Sequence, residues 1–233
     1  TQASSVGQAM SNGNSAVALT QIADKAMGEQ SNILDIVKTK LIQAGTATTS
    51  SAGRTAIAKD VGKLLDQLNS IAVQTNYNGI QLLQADTTAG TGAAASSQTF
   101  VMGEKLTNTI STTTGTRANI AGLSLTTLKL DVTTSATFTA TEAQTGMAKI
   151  DTAIDTLNGW RADFGSTQNQ LESAIRNLGT QQTNIKAAES VIRDVDYAKE
   201  SANFNKQNIV AQAGTYAMSQ SNAIQQNVLR LLQ

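Results

Sequence analysis

Few residues in this chain are typed and spaced for chemistry. Two carboxylate pairs come closest: Asp151 and Asp155, at i and i+4 on one helix face, and Asp194 and Asp196, flanking a valine. Paired carboxylates divide acid and base roles when their surroundings push their pKa values apart. Nothing else here completes such a site. The chain has no His and no Cys, which excludes histidine-assisted nucleophiles, thiolate chemistry, disulfides and most zinc sites. A helical metalloprotease motif needs paired histidines, so it is excluded as well. Solvated faces and helix-junction contacts explain the carboxylates better than acid–base work. The expectation is no enzyme, no cofactor and no metal.

Composition narrows the partners. Lys+Arg and Asp+Glu balance at 17 each, without a run of like charge, and aromatics make up 3% of the 233 residues. A nucleic-acid footprint needs clustered basic residues, so none is expected. No run approaches the roughly 20 apolar residues that cross a bilayer, so no membrane insertion is expected. There is also no Pro, and nothing therefore forces a helix to break.

The elements that would position any site read as long helices. Ile57, Val61, Leu64, Leu68 and Ile71 recur at spacings of 4, 3, 4 and 3, a heptad seam. A longer seam steps by 3 and 4 from Met147 to Ile192. Ten of its fourteen positions are apolar: Met147, Ile150, Ile154, Leu157, Phe164, Leu171, Ile175, Leu178, Ile185 and Ile192. Thr139 and Glu142 have capping-box spacing just before it. A looser pattern runs through Leu19, Ile22, Ala26, Ile33, Val37 and Leu41 and stops at the turn-rich GTATTSSAG (45–53). The spacing predicts helices over about 4–44, 54–75 and 141–193.

Between the second and third helices the character changes. NYNG (76–79) contains an Asn-Gly turn signal, and TNTISTTTGTR (107–117) holds seven Ser/Thr in eleven residues. Gln98–Val101 and Leu123–Val132 alternate and read as strands or hairpins. The expected fold is mainly α: an elongated antiparallel coiled-coil rod (1–193), with a small β-hairpin region over about 76–140 at one end. The Ser/Thr richness reads as exposed turn surface, with O-linked sugar attachment a secondary use.

Residues 194–233 form a separate problem. From Gln207 to Gln233 the one charged side chain is Arg230, yet the stretch ends on Val228, Leu229, Leu231 and Leu232. A C-terminal amphipathic helix with so little charge needs a partner to cover it.

These residues resemble the bacterial flagellins. SAIRNLG (173–179), IRDVDYAKE (192–200), QAGT (212–215) and QNVLRLL (226–232) are similar to that family's C-terminal signature in order and spacing. QIADKAM (21–27), ILDIVKTK (33–40) and NYNGIQLL (76–83) resemble its N-terminal half, with Tyr77 where Phe is commoner. TFVMG (99–103) resembles its next strand. The similarity covers essentially the whole chain. Thr1 falls in the middle of the family pattern, so a truncated N-terminus is expected. Leu83 to Thr141 leaves no room for large outer domains, and Gln225 stands where many members have Pro.

The resemblance implies a secreted structural subunit that polymerises with its own kind into the extracellular flagellar filament. It further implies passage through the flagellar export apparatus and a dedicated cytoplasmic chaperone that wraps the C-terminal segment beforehand. Expected chaperone or filament-core contacts are Ile209, Ala213, Tyr216, Ala217, Ile224, Val228, Leu231 and Leu232. The runner-up reading is a hook–filament junction protein of the same architecture. Family members detected by the innate immune flagellin receptor present an Arg, a Leu and a Glu on adjoining helices. The match places Ile36, Lys40 and Asp60 there, a patch expected to weaken detection.

Overall fold

The computed structural model describes residues 2–85, 92–112, 116–134 and 137–231, without the side chains of 193–196 and 231. Four helices dominate: α1 (Gln2–Gly45), α2 (Ser51–Gln74), α3 (Thr126–Thr134) and α4 (Ala140–Leu231). Two short hairpins separate α2 from α3. β1 (Asn76–Tyr77) pairs antiparallel with β2 (Ile80–Gln81), and β3 (Thr99–Val101) with β4 (Thr109–Ser111). The chain separates into two compact units, Thr1–Thr180 and Gln181–Gln233, and α4 supplies residues to both.

In the first unit α1 lies antiparallel to α2 and to α4. Lys40 meets Asp60 and Gln30 meets Leu68, so residue numbers rise on α1 as they fall on α2. Asp24 pairs with Arg161 and Lys38 with Asp151, which gives the same relation to α4. At 1.5 Å per residue α1 spans about 66 Å, so this unit is elongated. Its core is aliphatic and continuous, with Met27, Leu34, Leu41, Leu65, Leu68, Ile150 and Leu157 fully buried. The heptad residues of α2 behave as their spacing predicts: Ile57, Val61 and Leu68 are buried, and Leu64 and Ile71 are half-buried.

Local chemistry sets the boundaries. Ser50 caps α2, its Oγ accepting from the Gly53 N–H at 3.1 Å. At α4 the capping box is complete. Thr139 N–H donates to Glu142 Oε2 at 2.7 Å, and Glu142 N–H donates back to Thr139 Oγ1 at 3.2 Å. Thr139→Ala is expected to cost about 1 kcal/mol, lowering Tm by about 2–4 °C in thermal circular dichroism; an unchanged Tm would contradict the cap. Between β1 and β2, Asn78 and Gly79 take φ values of 52° and 81°, the primed hairpin turn that Asn-Gly favours.

Two expectations are corrected. Leu123–Val132 is not a strand: residues 126–134 form α3. The stretch alternates in part, but Leu125, Leu128 and Val132 also sit at spacings of 3 and 4, and all three are buried. The helical reading buries them on one side, with Leu128 against Gly146 and Val132 against Gly62. The second correction concerns the end of the third helix. α4 does not stop near 193 but continues as one helix to Leu231, as a chain without proline permits. The β3–β4 hairpin lies beside the start of α1, where Asn12 Nδ2 donates to the Val101 carbonyl at 3.3 Å.

Candidate subunit-interaction surfaces

The first surface is the part of α4 in the second unit. The long seam is buried or half-buried from Met147 to Leu178, and Ile185 is still half-buried. Beyond it, every described side chain from 186 to 230 is exposed. Ile192, at the end of the seam, is 64% exposed.

The expected contact residues follow one side of this helix. Ile209, Tyr216, Ile224 and Val228 expose between 50% and 74% of their surface, with Ala213 and Ala217 between them. Leu231 ends the helix; its side chain and the whole of Leu232 lie outside the described residues, as do the side chains of Asp194 and Asp196.

The structure adds a second apolar line that the sequence reading missed. Tyr197, Phe204, Met218 and Leu229 are exposed by 81%, 65%, 71% and 63%. At about 100° per residue they project roughly 160° away from the first set. The signal was available: Tyr197, Phe204, Ala211 and Met218 are spaced by seven. A helix with apolar lines on opposite sides is not covered by one groove.

The second surface is the α1/α2 patch. Ile36 is 48% exposed. Lys40 Nζ contacts Asp60 Oδ2 at 3.1 Å across the two helices. The two charges therefore satisfy each other, and the patch presents an isoleucine beside an internal ion pair.

The carboxylate pair on α4 is also accounted for. Asp151 Oδ1 lies 2.5 Å from Lys38 Nζ. The hydrogen bond and charge of Asp151 raise the Lys38 pKa, with Asp35 and Asp155 adding to the effect. A raised lysine pKa contributes stability that is complete below the unfolded value and is lost as pH rises through the folded one, in the alkaline range. Asp151→Asn should return Lys38 towards an ordinary lysine titration in NMR; an unmoved titration would contradict the pairing. Among the described residues no group of three acidic side chains is placed to hold a metal ion. No helix among them is long and apolar enough to cross a membrane.

Comparison with known proteins places this geometry. Residues 1–88 match the bacterial flagellin N-terminal helical region, and residues 147–232 match the bacterial flagellin C-terminal helical region. The flagellin of Bacillus subtilis is 34% identical over 242 residues, covering 96% of this chain and 80% of the relative. This chain belongs to the bacterial flagellin family. Its local identity to Flagellin A of Helicobacter pylori reaches 60% over 82 residues, which span 35% of this flagellin but 16% of that one. The crystal structure of Bacillus cereus flagellin superposes with a TM-score of 0.57 at 30% identity, covering 77% of this chain and 94% of that one. The long helices and short antiparallel strand pairs of this chain are consistent with a flagellin-like helical fold. The two family regions leave 89–146 between them, where this flagellin has the β3–β4 hairpin and α3.

Proposed function

We propose that this flagellin is a structural subunit that polymerises into the flagellar filament and works outside the cell. The observation that carries the reading is the exposure of every described side chain of α4 from residue 186 to 230, with apolar side chains on two sides. Such a helix gains about 25 cal/mol for each Å² of apolar surface removed from water. Packed among identical helices, it gains that on both sides at once. The tail from about residue 194 is assigned to filament-core contact.

The line through Ile209 and Tyr216 on that surface supports binding to a chaperone before export. An exposed apolar line invites premature association, and helix-in-groove binding covers it reversibly through anchors at helical spacing. Ile209, Ala213, Tyr216, Ala217, Ile224 and Val228 are the proposed anchors, continuing to Leu231 and Leu232. Electron microscopy of the concentrated full chain tests the assembly reading. Long fibres are expected; discrete short rings would favour the hook–filament junction alternative and contradict this one.

For the α1/α2 patch, the reading is weak recognition by the innate flagellin receptor. A bidentate Arg donor is absent at Ile36, and Lys40 is engaged with Asp60. Ile36→Arg with Lys40→Leu should raise receptor-reporter activation by about 10-fold or more. Activation by the unaltered chain equal to that of a detected flagellin would overturn the reading.

A further inference from the structure

Gln30 is an amide within an apolar seam. It is fully buried on α1, as are Met27 and Leu34 nearby. Its Nε2 donates to the Leu68 carbonyl of α2 at 3.0 Å and to the Ala118 carbonyl at 2.7 Å. Its Oε1 is buried without a hydrogen-bond partner. A buried amide costs free energy unless its atoms are bonded, whereas an apolar side chain of similar size would pack without that cost.

A second amide reaches the same segment. Asn69 of α2, 5% exposed, accepts from the Ile120 N–H at 3.0 Å. Within the segment, buried Asn119 donates to Gln84 Oε1 at 3.0 Å and to the Gly92 carbonyl at 2.9 Å. It also accepts from the Gly122 N–H at 2.9 Å. Gly122 permits the tight fold, because a Cβ there would stand 1.7 Å from the Arg117 carbonyl oxygen. The turn closes through Leu125 N–H to the Ile120 carbonyl at 2.7 Å. It leads directly into α3, where Lys129 N–H bonds to the Leu125 carbonyl at 2.9 Å.

The geometry points to a latch: Gln30 and Asn69 seat residues 116–125 on the α1/α2 pair as one unit, just before α3, which Lys129 fastens to α2 through the Gly62 carbonyl at 2.8 Å and Asp66 at 2.7 Å. Ala118, Ile120, Leu123 and Leu125 are also buried, but apolar contact is non-directional and tolerates sliding. The amides accept only a narrow range of positions. Releasing them frees the seat while leaving the long helices intact.

Amide hydrogen exchange of the full chain, read by NMR, tests this with Gln30→Met, which keeps the length of the side chain and removes its hydrogen bonds. Exchange at Ala118, Ile120 and Gly122 should rise by about 10- to 100-fold. The amides of Leu34 and Leu65 should change by less than about 3-fold, with helical circular dichroism unchanged. Unchanged rates at the three amides, an equal rise everywhere, or loss of helical signal would each overturn the latch. Gly122→Ala should reproduce the local pattern without touching Gln30. Full protection at Ala118 and Ile120 in that variant would show that the segment does not move as a unit, and would overturn the proposal too.

Discussion

Replacing Ile209, Tyr216, Ile224 and Val228 together by serine is expected to abolish fibre growth while leaving the melting of the first unit unchanged. These side chains expose 67%, 74%, 55% and 50% of their surface, so the dilute chain loses little when they go. Within a filament each would be buried, and full burial of a large apolar side chain contributes about 1.5–3 kcal/mol. Four such losses amount to roughly 6–12 kcal/mol as an upper bound. Since 1.4 kcal/mol is about a factor of ten, the critical concentration should rise by several decades, with about four to eight as the upper bound. Sedimentation of concentrated protein and thermal circular dichroism of dilute protein check the two halves. Fibres at the original concentration, or a Tm lowered by about 5 °C or more, would contradict the assignment of these residues to assembly.

The reverse pattern is expected in the first unit. Leu157→Ala removes a fully buried side chain from the core that α1, α2 and α4 share. Large-to-small changes of this type cost about 2–5 kcal/mol, because a cavity adds to the lost transfer energy. At about 2–4 °C per kcal/mol for a chain of this size, Tm should fall by roughly 4–20 °C. Val210→Ala, at a position 63% exposed, should leave the dilute Tm within about 1 °C. Thermal melts of both variants settle the contrast. Equal shifts would mean that the two parts of α4 are covered alike in the single chain.

The helices were legible in the sequence because their seams are long. Repeats of 3 and 4 sustained from Met147 to Leu178 leave no strand alternative, and Thr139 and Glu142 marked the start of α4 by chemistry as well as by spacing. The Asn78–Gly79 turn was legible because a positive φ favours those two residue types. α3 was not legible. Nine residues rich in threonine carry an ambiguous period, and their helical form is decided by burial against Gly62 and Gly146. The amides Gln30, Asn69 and Asn119 gave no periodic signal either, since their bonds to other segments join residues 27 to 88 positions apart.

The exposed apolar surface of α4 was half legible. The side holding Ile209 and Tyr216 follows the i, i+3, i+4 pattern of a single amphipathic stripe. The line through Tyr197, Phe204 and Met218 lies almost opposite and is sparser, so a search for one stripe assigns it to the polar side. Its exposure, from 65% to 81%, makes it apparent. The Lys40–Asp60 contact needed the α1/α2 register, which the sequence does not specify residue by residue.

Hydrogen exchange along α4, compared between the dilute single chain and sedimented fibres, tests the central claim most directly. Isolated helices are marginal in water without packing, so amides 186–231 should exchange rapidly in the dilute chain, while those of 147–178 are protected. In fibres the later stretch should gain protection of about 100-fold or more. Strong protection of 186–231 in the dilute chain, or none gained in fibres, would contradict the account.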